Sequence, residues 1–253
     1  MDEQHATPEQ VKPMSFSEKI TNIYASPGEL FDNVRLTPRT NSNWVIPWII
    51  FAIVAVILGQ IVVNNASLAD QLGTVIKKGF EKQVQEGKLS QEQADQTYER
   101  FAKPGSMMFT ISQVVATILG PLIGIFVLGL AYWLLGKTAM KATSPYMKVV
   151  EVIGLTLFIG LLEQIVTTIL MVAMDSITAT PSLGIFVSSF DMENKLHILL
   201  SKINIFTFWS LAVVSIGLSK LFQRDFAKVL VLVAALWVLW TAVTITTGIR
   251  ITG

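Results

Sequence analysis

Five long apolar tracts decide what this chain can fold into. They run from Trp44 to Val63, Met107 to Leu135, Val149 to Met174, Ile198 to Leu218 and Ala227 to Ile249. A helix rises about 1.5 Å per residue, so about 20 apolar residues cross the hydrocarbon core of a bilayer. Each tract has that reach. The fold class that follows is all-α: a polytopic membrane protein built as a five-transmembrane-helix bundle. Charged residues make up 15% of the chain, against about 25% in a soluble domain, which argues against an ordinary cytosolic enzyme.

The residue inventory narrows the chemistry further. Cys is absent, which excludes disulfides, thiolate metal sites and cysteine nucleophiles. Two histidines, His5 and His197, are too few for a His-rich centre, so neither metal nor cofactor is expected. A formal charge of +1 gives no reason to expect nucleic acid as a partner. The chain holds no H-E-x-x-H, no G-x-S-x-G and no paired acids for intramembrane proteolysis. Gly136-Lys137-Thr138 fails as a phosphate loop, because Gly129 stands seven positions earlier rather than five and no strand precedes it. No catalytic residue can be named, and the chain reads as non-enzymatic. Met1-Asp2-Glu3 opens acidic and the first apolar run starts only at Trp44, so the first span is expected to serve as an uncleaved insertion signal.

Basic residues in short loops predict the sidedness. One turn carries Lys137, Lys141 and Lys148, another Lys220, Arg224 and Lys228, and the N-terminal segment adds Lys12, Lys19, Arg35 and Arg39. With five spans these share one face, read as cytoplasmic, which leaves the C-terminus outside. The location expected is a bacterial cytoplasmic membrane, crossed several times. Trp44, Trp48, Tyr132 and Trp133 fall near the cytoplasmic interface, where aromatic anchors gather. Gly120-Pro121 leaves open a re-entrant second tract and four true spans. Gly120 and Gly124 form a small-xxx-small pair, suited to close packing within the chain or to a homo-oligomer.

Three regions follow from the pattern: a disordered tail over 1–14, amphipathic helices over 15–43, and a membrane domain over 44–253 with a polar helical hairpin at 67–103. Ser15 and Glu18 have capping-box spacing, repeated by Ser26 and Glu29 with Pro27 at the first helical position. Phe16, Ile20, Tyr24, Phe31 and Val34 then form apolar stripes. These lie at the headgroups as a partner-binding interface, with Lys19, Arg35 and Arg39 in water, or they pack under the bundle. In the hairpin, Ser67 is the expected cap, Gly87 the stop, and Ser90 to Gln93 a second capping box.

Glu163 is the residue to explain, about 14 residues into the third span and near the bilayer midplane. A charge there costs about 2.5–3.5 kcal/mol on insertion scales, so the acid should be neutral, paired or beside water. Gln164, Gln60, Gln113, Lys202 and Asn204 have depths that suggest a shared polar pocket. The bland alternative is helix glue, with Glu163 protonated and hydrogen-bonded. Glu151, at the start of the same span, is expected to reach water beside Lys148.

Several short segments carry a resemblance. They are Ile23-Tyr24-Ala25-Ser26-Pro27-Gly28-Glu29-Leu30-Phe31, Leu135-Gly136-Lys137, Tyr146-Met147-Lys148-Val149-Val150, Ile203-Asn204-Ile205-Phe206-Thr207-Phe208-Trp209 and Ile216-Gly217-Leu218. In these the chain resembles the bacterial branch of the Yip1-domain family, although that family often has Asp where Asn204 stands. The resemblance implies five spans, a cytosolic N-terminus and an outside C-terminus. Eukaryotic members are implicated in vesicle traffic and in contact with prenylated small GTPases, which reaches this chain by analogy alone. Two functions stay open: a non-enzymatic organiser or adaptor binding protein partners or lipid, and a small channel or transporter using the Glu163 pocket.

Overall fold

The computed structural model describes residues 11–247. Its α-helices are α1 (Phe16–Ala25), α2 (Pro27–Leu36), α3 (Ser42–Asn64), α4 (Ala66–Gln85), α5 (Gln91–Thr97), α6 (Met107–Met140), α7 (Tyr146–Ala173), α8 (Lys195–Lys202), α9 (Ile205–Phe222) and α10 (Phe226–Thr247). A π-helical turn at Tyr98–Ala102 and a 3-10 turn at Leu183–Phe186 complete it. Five of these helices, α3, α6, α7, α9 and α10, are long and apolar enough to cross a membrane. The protein is an all-α, multi-pass membrane protein. The N-terminal helices and the α6–α7 and α9–α10 turns share one face, here the N-terminal face. The α4–α5 hairpin and the α7–α9 connection share the far face. The fifth tract's expected end at Ile249, and residues 1–10 of the tail, lie outside the described residues.

Helix α7 is the hub, packed by α1, α2, α3, α6 and α9. Of its most apolar window 56% is buried, against 11% in α3 and in α6, so those two turn most of their surface to lipid. The core forms where α7 meets α9 and α2: Val149, Leu155, Ile159, Leu218, Leu30 and Phe31 are all but sealed. Close approach there requires residues without a side chain. A Cβ on Gly154 would collide with Trp44 and lie 2.8 Å from the Asn43 carbonyl, and one on Gly217 would come within 3.1 Å of the Phe31 ring. At Gly120 and Gly124 a Cβ would meet nothing within 4 Å, so this pair does not serve packing within the chain.

Helix α6 runs unbroken through Pro121, which removes the re-entrant reading of the second tract. Proline withdraws the N–H that Thr117 O would accept. One residue further on, the Trp48 indole donates to Ile118 O at 2.9 Å, a cross-helix bond of the kind that makes such a proline tolerable. Trp133 likewise donates to Ser144 O at 3.1 Å, and its face carries Lys137 Nζ at 4.4 Å. Two of these aromatic anchors therefore also fasten the bundle.

Other expectations are corrected. The fourth tract is not one helix: α8 ends at Lys202, and α9 starts at Ile205 with Asn204 as its N-cap. Ser15–Glu18 closes a capping box, but the Ser26 side chain caps nothing, since its backbone (φ −144°, ψ 61°) makes the corner between α1 and α2. Asn65, rather than Ser67, caps α4, accepting from the amides of Ser67 and Leu68. Lys12 and Met14, placed in the disordered tail, are fixed by Asn33, which donates to Lys12 O at 2.9 Å and accepts from the Met14 amide at 3.0 Å.

Candidate functional site

The depth of the polar side chains follows from the register of α3 against α7. Trp44 lies over Gly154 and Phe51 over Gly160, so the two helices run side by side, and the apolar tract 44–63 is level with 154–173. Glu163 therefore stands beside the middle of the first tract. Its carboxylate accepts from Asn204 Nδ2 at 2.5 Å. Asn204 is buried, and its own Oδ1 accepts the Phe206 amide at 2.9 Å as the cap of α9. The fourth tract is thus interrupted beside the acid of the third, level with the middle of the first tract.

The chain repairs that interruption with its own backbone. The connection after α7 returns to the break, where the Leu183 amide donates to Ile203 O at 3.0 Å and the Ile205 amide to Pro181 O at 3.4 Å. Irregular backbone is tolerated at such depth only where protein or a cavity surrounds it. Of the six polar residues expected to share one pocket, four form two pairs. Gln60 donates to Gln113 at 3.3 Å between α3 and α6, and Asn204 donates to Glu163 between α9 and α7. Gln164 is half-buried next to Glu163, and Lys202, the last residue of α8, makes no ion pair among the described residues.

A second polar cluster was not legible as one. Glu151, expected in contact with water, is 0% exposed, and Lys19, also placed in water, is 8% exposed. Lys19 Nζ donates to Asn43 Oδ1 at 2.8 Å, and Asn43 Nδ2 donates to Glu151 at 2.7 Å. The other carboxylate oxygen accepts the Thr40 amide at 3.2 Å. Lys148 Nζ donates to Val34 O at 2.6 Å, Thr37 O at 2.9 Å and Glu151 at 3.4 Å, so all three of its protons are used. Two of those acceptors lie at the end of α2, where a helix leaves carbonyls unpaired and favours a cation. Burial pushes the Lys19 ammonium below the usual lysine range, Glu151 works against that, and the Lys148 charge reinforces it. The signal misread in the sequence was a base and an acid three apart, Lys148 and Glu151, whose neighbours Val149, Val150 and Val152 mark a buried turn rather than a wet one.

This clamp explains where the N-terminal segment sits. Phe31 and Val34 are each 1% exposed, so the stripe packs into the bundle rather than standing free for a partner. The Tyr24 hydroxyl donates to Phe158 O at 2.7 Å, and its ring meets Trp209 edge-on at 5.8 Å. Burial raises the Tyr24 hydroxyl above the usual tyrosine range. Phe16 packs on Phe158 with ring centres 6.0 Å apart, Ile20 is partly buried on the same core, and Pro27 opens α2 half-buried.

Two surface hollows flank α9 at its opposite ends. At the N-terminal face a charged groove is lined by Asp32, Arg35, Ser219, Lys220, Gln223 and Arg224. At the other end, beside the break, an apolar hollow is lined by Leu183, Ile185, Phe186, Ile203, Ile205 and Phe208.

Together these features define a five-span α-helical membrane protein with an N-terminal helical pair built into one end of its bundle. Residues 21–247 match the Yip1 domain, and the chain belongs to that family. Searches of curated proteins and of solved structures return no match.

Proposed function

We propose that the protein is a non-enzymatic membrane organiser whose N-terminal face, held rigid by the buried clamp, meets lipid headgroups or a protein partner from the cytoplasmic side. The observation that carries this reading is the docking of α1 and α2. Their apolar stripe, Leu30, Phe31 and Val34, is used up inside the bundle, while the polar side of α2 stays at the surface beside the α9–α10 turn. A face built this way offers charge and shape, and among the described residues no nucleophile–base pair accompanies it. The basic turns support a cytoplasmic N-terminal face with the C-terminus outside, in a bacterial cytoplasmic membrane. A homo-oligomer through the lipid-facing side of α6 at Gly120 and Gly124 fits the same reading.

A second reading, a small channel or transporter, is favoured by one observation: the break in the fourth tract lies level with Glu163. Interrupted helices with an ionisable residue at mid-depth are a recurring arrangement in transporters. Proton flux in proteoliposomes separates the two. The organiser gives no pH-driven flux above empty vesicles. A transporter gives flux that Glu163→Gln removes, and that result overturns the proposal.

A further inference from the structure

We propose that the groove lined by Asp32, Arg35, Ser219, Lys220, Gln223 and Arg224 is a binding site for the phosphate of an anionic phospholipid. The inference deepens the organiser reading and rests on the N-terminal face meeting the membrane surface. Three cations and one acid line the groove, so positive charge is in excess. Asp32 takes up part of two of them, accepting from Lys220 Nζ at 2.5 Å and from an Arg35 guanidinium nitrogen at 3.3 Å. Among the described residues the third, Arg224, uses Nε alone, donating to Met140 O at 2.9 Å, which leaves its terminal nitrogens for an incoming anion. A guanidinium presents paired donors that suit a phosphate oxygen pair.

Depth identifies the phosphate as a lipid's. Helix α9 ends at Phe222 and α10 starts at Phe226, so Arg224 stands in a three-residue turn between two spans. Lys220 lies within the last turn of α9. A turn between two spans is at headgroup level, where lipid phosphates lie, and the stems of its side chains can run along apolar surface. Nearby, Asp225 accepts the Lys228 backbone amide at the start of α10, and the Lys137 ammonium lies 4.4 Å over the Trp133 ring. Gln223 adopts a left-handed conformation (φ 54°) that turns the chain after α9, so the groove is shaped by backbone as well as by side chains.

The test is native mass spectrometry of the detergent-solubilised full chain, titrated with phosphatidylglycerol, phosphatidylcholine of the same chains, inorganic phosphate and an acidic peptide. Phosphatidylglycerol should be retained several-fold over phosphatidylcholine. Arg35→Gln with Arg224→Gln should lower that retention about fivefold for each charge removed. Asp32→Asn, which frees two cations, should raise it, and this gain guards against reading a folding defect as lost binding. Equal retention of the two lipids, or retention unchanged in the paired variant, overturns the inference. Displacement of the lipid by equimolar inorganic phosphate overturns it in favour of a soluble anion, and preference for an acidic peptide over phosphatidylglycerol overturns it in favour of a protein partner. The flux assay does not involve the groove, so these failures leave the organiser reading standing.

Discussion

Two glutamates sit on α7, Glu151 near its start and Glu163 twelve residues on, about 18 Å away along the axis. By sequence position Glu163 is the conspicuous one, deep in an apolar tract, and Glu151 looks like a boundary residue. The structure inverts the contrast. Glu163 is half-buried with one amide partner, Asn204. Glu151 is sealed, with both oxygens occupied by Asn43, Lys148 and the Thr40 amide, and it draws α1, α2 and α3 onto α7. Depth in a sequence and depth in a fold are different quantities. The first is counted along one helix, whereas the second depends on what the rest of the chain lays over it.

The contrast breaks most directly at Glu151. Removing one member of a buried charged cluster strands the others, at a cost of about 3–5 kcal/mol. Glu151→Ala should lose stability on that scale, read from tryptophan fluorescence during unfolding in detergent. Replacing Lys148 and Glu151 together by Met and Leu should cost less, because the Lys148 ammonium is then not left beside an empty partner site and Lys19 keeps Asn43 as its acceptor. Equal losses in the single and double variants would mean that the cluster acts by packing alone.

Glu163 should answer on a smaller scale. Hydrogen bonds between membrane helices contribute about 1 kcal/mol, and a lost N-cap costs about as much. Glu163→Gln keeps a bond to Asn204 and should stay within about 1 kcal/mol of the parent. Asn204→Ala loses both the helix bond and the cap of α9, and should be the worse of the two in the same unfolding measurement. A loss at Glu163→Gln as large as at Glu151→Ala would remove the distinction between the two acids.

How much of this could be read in advance depends on the range of the interaction. The spans were legible because bilayer thickness dictates the length of an apolar run, and the Ser15–Glu18 and Ser90–Gln93 boxes because a cap is complete within four residues. The break at Asn204 was not. Ile198, Leu199 and Leu200 lie just before it, separated by Ser201-Lys202-Ile203, and the backbone that mends it comes from Pro181 and Leu183, some twenty residues earlier. The clamp was hidden for the same reason: Lys19 and Asn43 are 24 positions apart, and Asn43 and Glu151 are 108. Of the candidate site, the sequence supplied the residues, and tertiary packing decided which of them met.

The smallest effect concerns the other side of α2. Where Lys148 holds its end from within the bundle, Asp32 holds it from the surface, paired with Lys220 and Arg35. Partial burial works to raise the Asp32 carboxyl, but the bonds and charges of Lys220 and Arg35 outweigh it and keep the group below its ordinary value of 3.8. The folded state therefore binds the proton more weakly than the unfolded chain. The stabilisation is complete above pH 3.8 and is lost as the pH falls through the lowered value. Asp32→Asn should accordingly melt slightly earlier than the parent above that pH, with the difference closing in more acidic solution. Solvent screens this pair, so the shift should be small beside that of Glu151→Ala. A difference that persists unchanged into acid would place the contribution of Asp32 in its packing against α9, and would leave the buried clamp as the sole electrostatic tie on α2.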